Sequence, residues 1–138
     1  MAHHTQITVR WSELDPYQHV NHAVYLTYLE AARIEALAEL GFGIDRLADE
    51  DCQIVLTDMQ IKFLRSAVAG DILDISTSVI KIRRASTQWL QTISIGETQY
   101  IHAILTGTIT DFEGRPRRLP EGFAQALEPV TLTERKNR

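Results

Sequence analysis

The chain contains a single cysteine, Cys52, so no intramolecular disulfide can staple it, and a reducing cytoplasmic setting is the expectation. No helix start or cluster of cations surrounds that residue, which reads as a small buried hydrophobe rather than a nucleophile. Basic residues are also short, with 14 Lys and Arg against 18 Asp and Glu and a net charge of -4. That balance excludes nucleic-acid binding by charge alone. The N-terminal MAHHTQITVRW lacks the apolar core of a signal peptide, and no apolar run escapes charge for long enough to cross a bilayer, so membrane insertion is not expected. HExxH and Cys/His clusters are missing, leaving His3 and His4 as a mobile terminus, His19 and His22 three apart, and an isolated His102. No metal or other cofactor is expected. Neither Ser12 nor Ser86 lies in a GxSxG nucleophile elbow, which argues against a serine triad.

What is present fits one domain over residues 1–138, with about 1–4 and 130–138 frayed. TQITVRW alternates and is β-branched, predicting a strand from Thr5 to Trp11. Ala23 to Leu40 has no Gly or Pro, is rich in Ala, Leu and Glu, and predicts a helix that Gly41 and Gly43 end. Its first half is apolar on nearly every side, so it should be wrapped by other structure. GIDRLADED reads as a polar turn with about one helical turn. Four consecutive strands follow: Cys52 to Leu64, Asp71 to Ile82, Thr87 to Ile95 and Thr98 to Thr110, with Gly96-Glu97 as a hairpin signal. Phe123 to Leu127 is a short terminal helix, and TLTERKNR is a charged tail. Strands segregated from the helix imply an α+β fold, a five-stranded antiparallel sheet curved around one long central helix.

Chemistry concentrates just before that helix. Pro16 restrains the backbone on both sides of the Asp15-Pro16 bond, so a carboxylate stands in a stiff loop that leads into a helix N-terminus. The amides of the first turn, around His22 to Val24, lack intrahelical acceptors and favour a developing negative charge. That combination suits acyl transfer, with Asp15 attacking a carbonyl or activating water. The bland alternative makes Asn21 or His22 a helix cap and Asp15 a turn former. Glu30 and Arg33, three apart, can pair across one turn, either as structure or to position the loop. Tyr25 and Tyr28 are core residues or reach a polar group in the site.

These residues resemble the hotdog-fold acyl-CoA thioesterases, in particular the 4-hydroxybenzoyl-CoA thioesterase family and its short-chain acyl-CoA relatives. The resemblance is carried by VRWSELDPYQHVNHAVYLTYLEAAR, by FLRSAVAGDILDI and by RRASTQWLQTISI. Through it Asp15 falls on the catalytic Asp, His19, Val20 and Asn21 on the HVN motif, Tyr25 on the motif's Tyr, and Glu30 and Arg33 on the helical pair. Gln18 stands where many relatives have Gly and His22 where many have a second Asn, while the His22 backbone N–H would remain the oxyanion donor. The resemblance implies hydrolysis of an aliphatic or aromatic acyl-CoA, or of an acyl carrier protein thioester, by a homodimer or homotetramer with sites at the subunit interface. Arg83 and Arg84 would meet coenzyme A phosphates, and Ser86 and Thr87 the pantetheine arm; a solvated hairpin turn is the competing reading of the two arginines. Arg115, Arg117 and Arg118 read as a solvated turn. Rival functions are a non-catalytic acyl-CoA or lipid-binding hotdog protein and a hotdog hydratase.

Overall fold

The computed structural model describes residues 1–132. The chain runs β1 (His3–Thr8), a 3-10 turn (Trp11–Glu13), α1 (His22–Glu39), α2 (Ile44–Asp49), β2 (Gln53–Phe63), β3 (Ile72–Ile82), β4 (Ser86–Ile95), β5 (Thr98–Thr110), α3 (Phe123–Leu127) and a last 3-10 turn (Glu128–Val130). One sheet takes the five strands in the order β1-β3-β4-β5-β2. Every neighbouring pair is antiparallel.

Alternation along the strands produces the core. Leu73, Ile75, Thr77 and Val79 of β3 and Ile101, Ala103, Leu105 and Ile109 of β5 are all buried on one face, as a period of two demands. Gly107 shares that face because a side chain has no room there: a Cβ would lie 2.7 Å from Ile54 Cγ2 of β2. Gly96 turns β4 into β5 with φ +60, a conformation that costs glycine little.

Helix α1 lays Tyr25, Tyr28, Leu29, Ala32, Ala36 and Leu37 against the sheet. Its other side is open, with Leu26 38% and Ile34 40% exposed and Ala23, Thr27, Glu30 and Ala31 exposed beside them. The expected wrapping is therefore present on one face only. A single sheet covers one side of a helix, and nothing among the described residues covers the other. Among the described residues strand β2 is an edge, paired with β5 alone, and it and the residue after it expose Val55, Leu56, Phe63 and Leu64.

The ends differ from the expectation. Strand β1 begins at His3, inside the stretch read as frayed, and stops at Thr8 because Trp11 already belongs to the 3-10 turn. Its anchors are ladder pairing with β3 from His3 opposite Thr77, a His4–Asp74 contact at 3.1 Å, and contacts of the His3 ring with Glu39 at 3.1 Å and Glu35 at 3.5 Å. The terminal ammonium donates to Pro129 O at 2.9 Å. At the other end Val130 is buried and the Leu132 N–H donates to Val79 O at 2.8 Å; the charged tail from 133 onwards lies outside the described residues.

Candidate active site

The loop from Leu14 to Asn21 folds back on Asp15. Leu14 and Val20 form an antiparallel bridge, and the Asp15 N–H donates to His19 O at 2.6 Å. Asp15 Oδ1 accepts the backbone N–H of Tyr17 at 2.8 Å and of His19 at 3.1 Å. This is the turn-forming role, and it engages one carboxylate oxygen only. Oδ2 has no partner among the described residues. Gln18 sits at φ +67, a left-handed conformation that glycine adopts without strain.

Asn21 is the cap of α1. Its Oδ1 accepts the Ala23 N–H at 2.8 Å, and its carbonyl accepts the Val24 N–H at 2.9 Å. Of the amides expected to be free from His22 to Val24, only that of His22 lacks an acceptor among the described residues. A cavity of about 250 Å³ collects Asp15, His19, His22 and Tyr25 with Phe63, Arg65 and Ser66 from the end of β2. The two imidazoles, Arg65 and Ser66 are exposed.

Tyr25 is buried, and its Oη accepts the Ala67 N–H at 3.0 Å, tying α1 to the β2–β3 turn. Burial pushes this phenol up. Tyr28 donates its hydroxyl to Glu13 Oε1 at 2.6 Å. Glu13 also receives the Arg10 N–H at 2.9 Å and Arg10 Nη2 at 3.0 Å, and its carbonyl accepts the Asn21 N–H at 3.0 Å. Burial alone would raise the Glu13 carboxyl, but the hydrogen bonds from Arg10 and Tyr28 hold it below its ordinary value. Sequence reasoning passed over this brace, although Arg10 and Glu13 are spaced to close a 3-10 turn. It also left Arg65 and Ser66 out of the site, since their proximity to Asp15 arises from tertiary packing.

A second, larger cavity of about 340 Å³ lies between the C-terminal half of α1, α2 and the strands, and Leu37, Leu47, Cys52, Trp89, Leu105 and Arg33 contribute to its wall. Arg33 and Glu30 are not within ion-pairing distance among the described residues. Instead Arg33 Nη1 donates to Gln91 Oε1 at 2.8 Å. Glu30 falls on the open side of the helix, so the pairing allowed by their spacing is not made. Burial pulls the Arg33 guanidinium down from its ordinary value, and the Glu30 charge acts the other way. Cys52 is buried as expected, its thiol pushed up by that burial.

Arg83 and Arg84 stand exposed on the β3–β4 turn, with Ser86 half-buried. Thr87 is buried and its Oγ1 accepts the Trp89 indole N–H at 2.8 Å. None of these four lines either cavity. Arg115 pairs with Asp111 at 3.0 Å, and Arg117 Nη1 donates to the carbonyls of Glu50 and Asp51 at 2.7 and 2.9 Å. The Arg115 contact is local to its turn, whereas Arg117 ties that turn to the connection between α2 and β2. Among the described residues one group has metal-ligand proximity, His3 with Glu35 and Glu39, whose candidate ligand atoms lie within 4.8 Å of one another. It bridges β1 to α1 and borders neither cavity.

Residues 9–127 match the family described as the thioesterase-like superfamily. Over 91 residues the chain is 35% identical to the long-chain acyl-CoA thioesterase FadM of Escherichia coli, covering 66% of this chain and 68% of that protein. The acyl-CoA thioester hydrolase YbgC of Escherichia coli is 26% identical over 119 residues, 85% of this chain and 89% of its own. Among solved structures, a probable thioesterase from Bartonella henselae superposes with a TM-score of 0.84 at 31% identity, covering 87% of this chain and 100% of the other. A thioesterase from Thermus thermophilus complexed with coenzyme A and zinc superposes with a TM-score of 0.79 at 25% identity over 92% of each chain. The five-stranded antiparallel sheet is that of hotdog-fold thioesterases.

Proposed function

The chain belongs to the thioesterase-like superfamily, a group of thioester hydrolases, and from that premise we propose that it hydrolyses acyl-CoA to a free acid and coenzyme A with Asp15 as the reacting carboxylate. One observation carries the assignment: Asp15 Oδ1 is held by two backbone N–H groups while Oδ2 has no partner among the described residues, in the cavity that His22 also lines. A carboxylate anchored by one oxygen keeps its reacting oxygen aimed, which is what positioning contributes to a rate. The thioester carbonyl oxygen rests on the free His22 N–H, where the α1 dipole favours the charge that develops as the carbonyl carbon becomes tetrahedral.

Two routes use these same groups. As general base, Asp15 takes a proton from water; the hydroxide adds to the carbonyl carbon, the C–S bond breaks, and Asp15 returns the proton to the departing thiolate. As nucleophile, Asp15 bonds to the carbonyl carbon, expels the thiolate and forms a mixed anhydride that water then cleaves. Trapping with hydroxylamine and mass spectrometry of the Asp15 peptide separates the two. The scheme asks for no metal or redox cofactor. In this reading Arg65 and Ser66, which line the cavity, meet the pantetheine arm, and exposed Arg83 and Arg84 meet phosphate. Acyl carrier protein thioesters, aliphatic or aromatic, are the competing carrier to assay beside coenzyme A.

A homodimer completes this reading. Two β2 edges joined antiparallel would bring Phe63–Ser66 and the Asp15 cavity of one protomer to the Gln53–Leu56 end of its partner, next to the larger cavity. The same union would cover the open side of α1 and make it the central helix.

Substituting Asp15→Asn removes the base and nucleophile but keeps the shape. Turnover should fall by about 10²–10⁴-fold, with acyl-CoA affinity and the melting temperature little changed. Thiol release across a panel of acyl-CoA chain lengths reads the first, and calorimetry the second. Unchanged turnover in Asp15→Asn would remove the assignment, and tight binding without thiol release from any substrate would favour the non-catalytic binder.

A further inference from the structure

The larger cavity is built for something other than plain hydrocarbon. Its volume of about 340 Å³ lies in the range of small-molecule sites. Leu37, Leu47, Trp89 and Leu105 make much of the wall apolar and are themselves buried. Set into this wall is Arg33, which carries five N–H donors. Its one hydrogen bond among the described residues goes to Gln91, and no carboxylate there lies within 4.0 Å. Gln91 is fully buried and is fixed in turn, its Nε2 donating to Leu29 O and to Thr77 Oγ1, both at 3.0 Å. The guanidinium is therefore held in place by Gln91 with donors left over for an oxygen in the cavity that it lines.

We propose that this cavity takes the far end of an acyl chain bearing a neutral oxygen, a hydroxyl or a ketone, and that Arg33 recognises that oxygen. The inference rests on the reading of the chain as an acyl-CoA hydrolase and adds the substrate class. Neutrality follows from Glu30, which lines the same cavity one turn away. Its charge balances Arg33 and repels an incoming carboxylate, whereas a hydroxyl can accept from Arg33 and donate to Glu30. The far end of the chain is singled out because the two cavities have no lining residue in common. The oxygen that Arg33 meets is thus remote from the reacting carbonyl.

The test compares decanoyl-CoA with its 3-hydroxy, 10-hydroxy and 10-carboxy derivatives on the full-length protein. The 10-hydroxy substrate should exceed decanoyl-CoA and the 10-carboxy substrate in kcat/KM by about tenfold or more, the scale of a hydrogen bond to a charged group, and 3-hydroxylation should bring no such gain. In Arg33→Met the ratio of 10-hydroxydecanoyl-CoA to decanoyl-CoA should fall to about one, and Arg33→Lys, which keeps a charged donor and the fold, should retain part of it. Equal or faster turnover of decanoyl-CoA by the wild type, a gain confined to the 3-hydroxy substrate, or a ratio unchanged in both Arg33 variants would overturn the proposal. Should no acyl-CoA be cleaved, the hydrolase reading fails, and calorimetry with decanoic and 10-hydroxydecanoic acids still decides the cavity. Tighter binding of the hydroxy acid that depends on Arg33 supports the proposal, and equal affinity refutes it.

Discussion

At the scale of single residues, the division of labour within one carboxylate matters most. Asp15 serves as a turn former through Oδ1, and Oδ2 has no partner among the described residues, so the structural reading of the residue and the catalytic role proposed for it are compatible. Asn21 behaves differently: its side chain is committed to the cap. Glu13 supports both, because its carbonyl holds the Asn21 amide while its carboxylate holds Arg10 and Tyr28. Its folded-state carboxyl lies below the ordinary 4.5, so the ionised form is the one that stabilises the fold. That contribution is complete above about pH 4.5 and is lost as pH falls through the lowered folded value. Glu13→Gln should therefore melt below the wild type at pH 7, with the gap narrowing in acid. Thermal melts of both proteins from pH 7 to 3 check the sign, and a gap that widens on acidification would contradict it.

Among elements, α1 and β5 show what a local pattern can and cannot convey. The absence of Gly and Pro from 23 to 40 and the alternation along 98 to 110 were enough to locate both, because helix and strand formation depend on neighbours a few residues away. The partner of Arg33 was not legible. Spacing offered Glu30, but Gln91, 58 residues away, supplies the bond, since the sheet brings β4 beneath the inward side of α1. Gly107 lies on the buried face of β5, close against β2. With Ile54 Cγ2 2.7 Å from where an added methyl would stand, Gly107→Ala should cost about 1–3 kcal/mol through overpacking. Denaturant unfolding measures it, and a midpoint equal to wild type would show that Ile54 can yield. Ile54 also lines the larger cavity, so the same change should weaken the longest acyl substrates most.

For the whole molecule the open surfaces set the question. Leu26 and Ile34 on α1 and Val55, Leu56, Phe63 and Leu64 along the β2 edge are apolar and exposed, and an unpaired, apolar edge strand is a template for another strand. In sedimentation the wild type should run as a dimer or larger. Leu56→Glu with Phe63→Glu should shift it towards monomer and reduce kcat/KM more than about tenfold, since charges facing each other across an apolar interface are costly, while far-ultraviolet circular dichroism stays near native. A wild-type monomer with full activity would separate function from pairing.

The sequence by itself determined the order of elements, the α+β class, the carboxylate ahead of a helix start and the motifs that carry the family resemblance. All of these are written within stretches of a few to some twenty residues, where propensity, period and capping act. Only the tertiary structure decided that the His22 amide is left without an acceptor among the described residues, that Tyr25 closes on Ala67, 42 residues away, that β1 begins at His3, and that a guanidinium stands in the wall of an apolar cavity. Those outcomes depend on strand register and on which helix face meets the sheet, and both are set by packing between segments distant along the chain.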